Sequence, residues 1–464
     1  MVSSMACEGR GLEAGEALVR FRQELSACLW LRGDALFELM DAVTGAGRAG
    51  SLPYLSLEPA FRRGHGMIYQ ALREGRIDEQ ALRDLLVAVR PADWPLVFAI
   101  DASTYPRPEA EASPERQWHH LGSAGSQGDG AVPGWSFQWL SQVSFARDSW
   151  TAPQDQVRVS RQDATRRAAE QVIAHSARLR AAGETGVPLY LLDAGYDEAP
   201  LTWDLRGHLD RVQVLVRVRS DRVLYRDPPA RVPGRPGRTR LHGARFACKD
   251  PGTWGTPDQE LVLDDEKYGQ VSVQAWGGLH PKLFCRGPFA GFARPPVIKG
   301  HLIRVTVTRL PNGRRPPGPL WLWRAGGPAV PDLDLIWRAY LHRFDIEHTY
   351  RFAKHGLGWD KAALRHPDQV SRWTWLIIAA LTQLRLARAL AEDHRHRWER
   401  ALAPGRLTPG RVRRDFGRLA AMAGTPARPP KPSRPGPGRP KGRTSTPATR
   451  YPVITKDRRK ASKG

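Results

Sequence analysis

Two short apolar runs, Pro95 to Ile100 and Pro188 to Leu192, each end on an aspartate, Asp101 and Asp193. Runs of this length and character read as buried strands, and ligands of α/β sheets gather at the carboxyl ends of strands. If the two strands are neighbours, the two carboxylates stand side by side. Hard divalent cations such as Mg²⁺ take oxygen ligands. Two of them about 3.5–4 Å apart clamp the attacking and leaving oxygens of a phosphodiester displacement. An aspartate that merely opens a turn is the plainer reading of either position taken alone, so a third group has to decide.

That group lies in the segment YLHRFDIEHTYRFAK, where Tyr340, Arg343, Glu347 and Lys354 fall at offsets of 0, 3, 7 and 14. At about 100° per residue they sit near 0°, 300°, 340° and 320°, one narrow stripe of a helix. Trp337, Phe344, Ile346 and Phe352 surround the stripe, which predicts burial, and a buried carboxylate must be paired or must bind metal. The pattern Y-x2-R-x3-E-x6-K resembles the Y-R-E-K signature of a large group of bacterial insertion-sequence transposases of the DDE type. LLDAGYD at 191–197 resembles the segment around that group's second aspartate, and VFAIDAS at 97–103 the segment around its first.

The resemblance spans roughly residues 90 to 395. It implies an RNase H-like core in which Asp101, Asp193 and Glu347 hold two Mg²⁺ ions, with Mn²⁺ as a substitute. Tyr340, Arg343 and Lys354 inherit contacts to DNA near the element's end. The implied activity is cleavage and strand transfer at terminal inverted repeats, on double-stranded DNA as element end and target, by a homodimer in the DNA complex. The group often has Trp after the arginine, where this chain has Phe344. Some relatives hold a flipped base on an insertion Trp. Trp276 is a candidate for that role, although core packing is its plainer one. The alternatives are an RNase H-like nuclease without strand transfer and an inactive or regulatory DNA-binding relative.

The positioning elements follow from periodicity. Residues 1–90 read as an N-terminal helical domain, on helical spacings such as Leu18, Phe21, Leu25 and Leu29. Residues 91–200 read as the first part of the α/β core. There the strand ending on Asp101 is followed by two hairpin strands across Gly134 to Phe145, a helix over Ala164 to Ala182, and the strand ending on Asp193. Residues 201–328 read as a β-rich insertion, 329–422 as the C-terminal helices of the core, and 423–464 as a disordered basic tail. The fold class expected is therefore α/β: an RNase H-like mixed sheet with flanking helices, interrupted by the insertion.

Charge points the same way. The 464 residues carry 71 Lys+Arg against 47 Asp+Glu, a formal +24, and such a surplus suits a polyanion, because neutralised phosphates release counterions. Two Gly-Arg-Pro stretches, around Arg235 and Arg439, resemble minor-groove AT-hooks. Cys7, Cys28, Cys248 and Cys285 form no metal or disulfide spacing, and His119 and His120 lack partners at ligand spacing. No run is long enough to span a membrane, so a cytoplasmic, nucleoid-associated location without membrane contact is expected.

Overall fold

The computed structural model describes residues 2–47, 50–108, 112–120, 131–146, 148–230, 240–403 and 405–432, with scattered positions between 438 and 451. Its centre is a mixed sheet of five strands: β1 (Val97–Pro106), β2 (Ala131–Val143), β3 (Thr151–Val159), β4 (Leu189–Leu192) and β5 (Gln213–Val218). Their spatial order is β3-β2-β1-β4-β5, antiparallel from β3 to β1 and parallel from β1 to β5. This is the RNase H-like mixed sheet that the sequence resemblance implied. The central strands are apolar on both faces. Phe98, Tyr190 and Val214 pack under helix α5 (Ala164–Ala181), while Ala99, Leu191 and Leu215 face a second core on the other side.

Three details differ from the sequence reading. β1 does not stop at Asp101 but runs to Pro106, because β2 continues alongside it from Asp101–Trp139 to Pro106–Gly134. The last pair needs glycine: a Cβ on Gly134 would stand 2.2 Å from the Tyr105 carbonyl oxygen. The residues read as two hairpin strands are one 13-residue strand, β2, and its antiparallel partner is the polar stretch β3. β5, counted with the insertion, is part of the core, running parallel to β4.

The β-rich insertion does not fold as a separate sheet. Strand β9 (Leu320–Gly326) pairs with β5, and β8 (Gly300–Arg309), β7 (Gly269–Pro281) and β6 (Gln259–Asp265) follow in turn, so one twelve-stranded sheet runs through the described residues. Trp276 is 1% exposed and packs with Phe246, Trp254 and Trp321, which is a core role.

The N-terminal helices α1 (Val2–Cys28), α2 (Gly33–Gly45), α3 (Gly66–Glu74) and α4 (Glu79–Ala88) share the second core with α9 (Pro367–Leu386). One buried polar network ties them together. Arg22 makes a bidentate pair with Asp41 at 2.7 Å, and donates to Gln383 Oε1 at 2.8 Å and to the Gly424 carbonyl at 2.8 Å. Arg62 reaches the Ala427 carbonyl and Arg63 that of Arg428, so the segment after helix Phe416–Ala423 is held against the N-terminal helices. Beyond Gly424 the described residues carry no helix or strand. Among the described residues, no helix is long and apolar enough to cross a membrane.

Candidate functional site

Register brings the two aspartates together. β1 and β4 pair in parallel as Val97–Leu189, Phe98–Tyr190 and Ala99–Leu191. Two residues further on, Asp101 and Asp193 come level on adjacent strands, which lie about 4.8 Å apart. Side chains alternate along a strand, so Asp101 shares the face of Ala99, the face covered by the C-terminal helices. Asp193 follows the last residue of β4, and its Oδ1 accepts a 2.8 Å hydrogen bond from the Gly195 N–H.

The helix expected to carry the stripe from Tyr340 to Lys354 is broken into three pieces. α7 (Leu333–His342) ends in a tight turn at Arg343 and Phe344, α8 (Asp345–Arg351) follows, and Phe352–Gly356 is a π-helical turn closed by the Leu357 N–H on the Phe352 carbonyl. His342 and Asp345 bridge the first break at 2.8 Å. Residues up to Glu347 keep the face that the stripe predicted. Arg343 Nη1 stands 3.6 Å from Asp101 Oδ2, and Arg343 Nη2 is 3.4 Å from Glu347 Oε1. Tyr340 lies under the same guanidinium, whose carbon is 5.9 Å from the ring centre. Lys354 departs from the stripe. The π turn changes the phase of the helix, and the Lys354 ammonium stands 5.7 Å from the Trp359 ring centre, with Asp360 as its favourable charge.

Electrostatics mark the cluster as charged beyond its own means. Burial, followed by the neighbouring Asp193 charge, pushes the Asp101 carboxyl up to about 7, against the opposing pull of Arg343. Burial likewise raises the Tyr340 phenol. Arg343 Nη1 and the Tyr340 hydroxyl are buried without a well-formed hydrogen bond.

The donor chemistry suits a hard divalent cation: carboxylate oxygens, side by side, in surroundings that penalise their combined charge. Among the described residues, no three His, Cys, Asp or Glu side chains are gathered closely enough to hold a metal as they stand. The Arg343 guanidinium lies between Asp101 and Glu347. The Glu347 side chain is 40% exposed. Asp101 and Asp193 would hold the ion, with Glu347 joining from the helix.

Two tyrosines that sequence reasoning passed over fix this geometry. The Tyr350 hydroxyl donates to the Asp101 carbonyl at 2.7 Å and accepts from the Trp139 N–H at 3.2 Å, which bolts α8 to β1 and β2. The Tyr196 hydroxyl and the Gln138 side-chain amide are hydrogen-bonded at 2.8 Å, beneath the Asp193 turn. The available signal was Tyr350 standing three residues after Glu347, one turn along the same helix. Arg235 and Arg439 lie outside the described residues.

The model of a family described as DDE superfamily endonuclease matches residues 24–282, more than half of the chain, taking in Asp101 and Asp193 and stopping short of Glu347. No curated protein sequence matches this chain. Among solved structures the chain is similar to a cryo-EM structure of the piggyBac transposase synaptic complex with hairpin DNA. The identity is 8%, the match covers 89% of this chain and 80% of that one, and the TM-score is 0.41.

Proposed function

Because this chain belongs to the DDE superfamily endonucleases, we propose that it is a DNA transposase of the insertion-sequence type with the Y-R-E-K signature. It would bind the terminal repeats of its own element as a homodimer and carry out cut-and-paste cleavage and strand transfer. The observation that carries this reading is the level placement of Asp101 and Asp193 on adjacent parallel strands, facing the helix of Arg343 and Glu347.

When bound, Mg²⁺ or Mn²⁺ would activate the attacking hydroxyl and stabilise the leaving oxygen. The protein's own part is positioning and charge. Asp101 and Asp193 present oxygens from rigid strand ends, and Tyr350 keeps the Asp101 backbone in place. Arg343 suits a bidentate grip on a phosphate, with the Tyr340 hydroxyl beside it. A phosphate drawing Arg343 away from Glu347 would free that carboxylate to join the other two. Substrate binding and completion of the ligand set would then be one event.

A DNA-binding relative that no longer cuts is the second reading, favoured by the wedged position of Arg343 between Asp101 and Glu347. An excision assay separates the two. A marker is flanked by the DNA bordering this gene, and wild type is compared with Asp101→Ala and Glu347→Ala. Marker loss with wild type alone supports the transposase. Retention with every variant, despite confirmed end binding, supports the binding-only relative.

A further inference from the structure

The row of residues that begins with the two aspartates does not end with them. β4 and β5 pair in parallel up to Leu192–Val216, so one residue further on Arg217 comes level with Asp193. Across its other edge Arg217 pairs directly with Leu322 of β9. Leu322 and Leu215 both belong to the core on the active-site face, and directly opposed residues, like residues two apart, share a face. Asp101, Asp193 and Arg217 therefore form a transverse row on one side of the sheet. At about 4.8 Å per strand the row is roughly 10 Å long.

Leu215 and Leu322 are wholly buried, whereas Arg217 is exposed. No described residue holds Arg217 in a hydrogen bond or ion pair, although Asp193 is its neighbour in the row. Its charge acts on Tyr340, whose buried hydroxyl, like Arg343 Nη1, lacks a well-formed hydrogen bond. Three donors thus flank the carboxylates: Tyr340 beside Arg343, Arg343 itself, held only by long ion pairs at 3.6 and 3.4 Å, and Arg217, which no described residue engages. An arc of this composition lacks an acceptor carrying several anionic oxygens.

Resting on the transposase reading above, we propose that Arg217 grips a DNA phosphate flanking the one that is cleaved, from the side of the carboxylate row opposite β2. Arg217 and Arg343 then hold the strand on either side of the scissile bond, which lies over Asp101 and Asp193. The partner chemistry is a phosphodiester. A guanidinium matches it with two parallel N–H donors.

The test compares wild type, Arg217→Ala and Arg217→Lys on end DNA carrying single methylphosphonates at successive positions around the cleavage site. A charge-assisted hydrogen bond predicts that Arg217→Ala lowers the cleavage rate about 10- to 100-fold at saturating DNA. Overall DNA affinity should stay within about threefold, and the melting temperature should be unchanged for an exposed residue. Lysine should recover only part of the rate, because it lacks the fork. One methylphosphonate that slows wild type should have no further effect in Arg217→Ala. If every methylphosphonate penalty persists in Arg217→Ala, or if only affinity and its salt slope change, the proposal is overturned. Wild type that cuts no DNA at all would instead overturn the transposase reading.

Discussion

Removing the Asp101 charge should make the metal-free protein more stable. The folded environment holds this carboxyl at about 7, roughly three units above an unperturbed aspartate near 3.9. A native pKa above the unfolded one means that the folded chain binds the proton more tightly. This group's contribution to stability is therefore full below about pH 4 and lost as pH rises through about 7. At about 1.36 kcal/mol per unit, ionised Asp101 costs up to about 4 kcal/mol at pH 8. Burial is the main cause, followed by the Asp193 charge, with Arg343 giving partial relief and Glu347 adding a smaller push. Asp101→Asn keeps the shape and removes the charge. With about 2.1 cal/mol/K of unfolding entropy per residue, a body of some 400 residues shifts by roughly 1 °C per kcal/mol. The variant should melt up to about 4 °C above wild type at pH 8 in chelator, and the gain should shrink by more than half at pH 5. Excess Mg²⁺ should narrow the gap by more than half, since a ligand at about 100 times its Kd adds roughly 2.7 kcal/mol to wild type alone. A variant less stable than wild type at pH 8 without metal, or an equal gain at both pH values, would refute the reasoning.

Other expectations concern the supports of the site. Tyr350→Phe deletes the hydroxyl that joins the Asp101 carbonyl to the Trp139 N–H. It should cost about 1–3 kcal/mol in urea unfolding and slow cleavage more than it weakens DNA binding; unchanged stability would remove Tyr350 from the clamp. Arg22→Met leaves Asp41 buried without its bidentate partner, so a loss of about 3–5 kcal/mol is expected, with earlier proteolysis after Gly424. A change below about 1 kcal/mol would show that the network is not what joins the N- and C-terminal helices. DNA affinity should fall roughly a thousandfold between 50 and 200 mM salt if about six phosphates are neutralised, and a flat response would contradict the meaning given to the +24 charge.

Much of the core was legible because burial writes itself as apolar runs. Val97 to Ile100 and Leu189 to Leu192 are apolar throughout because the central strands are covered on both faces. β3 was missed for the opposite reason. Its Gln154, Asp155 and Gln156 are buried but polar, and they hydrogen-bond to His175, Arg83, Gln171 and Ser371, none of them a near neighbour in sequence. Local pattern cannot report partners that only the fold supplies. Tyr340, Arg343 and Glu347 come together as the stripe predicted, despite the break at Arg343, whereas Lys354, inside the π turn, meets Trp359 instead. Arg217 was invisible for a related reason. In sequence it is one arginine in a strand, and only the register of β4 against β5 sets it beside Asp193.

The most direct test of the account is cleavage of supercoiled DNA carrying the sequence that borders this gene. Wild type, Asp101→Asn, Asp193→Asn and Glu347→Gln would be assayed in Mg²⁺ and in chelator, with DNA binding measured in parallel. The account predicts cutting by wild type in Mg²⁺ alone, and three variants that bind within a few fold but do not cut. Cutting in chelator, or by any of the three variants at the wild-type rate, would contradict it.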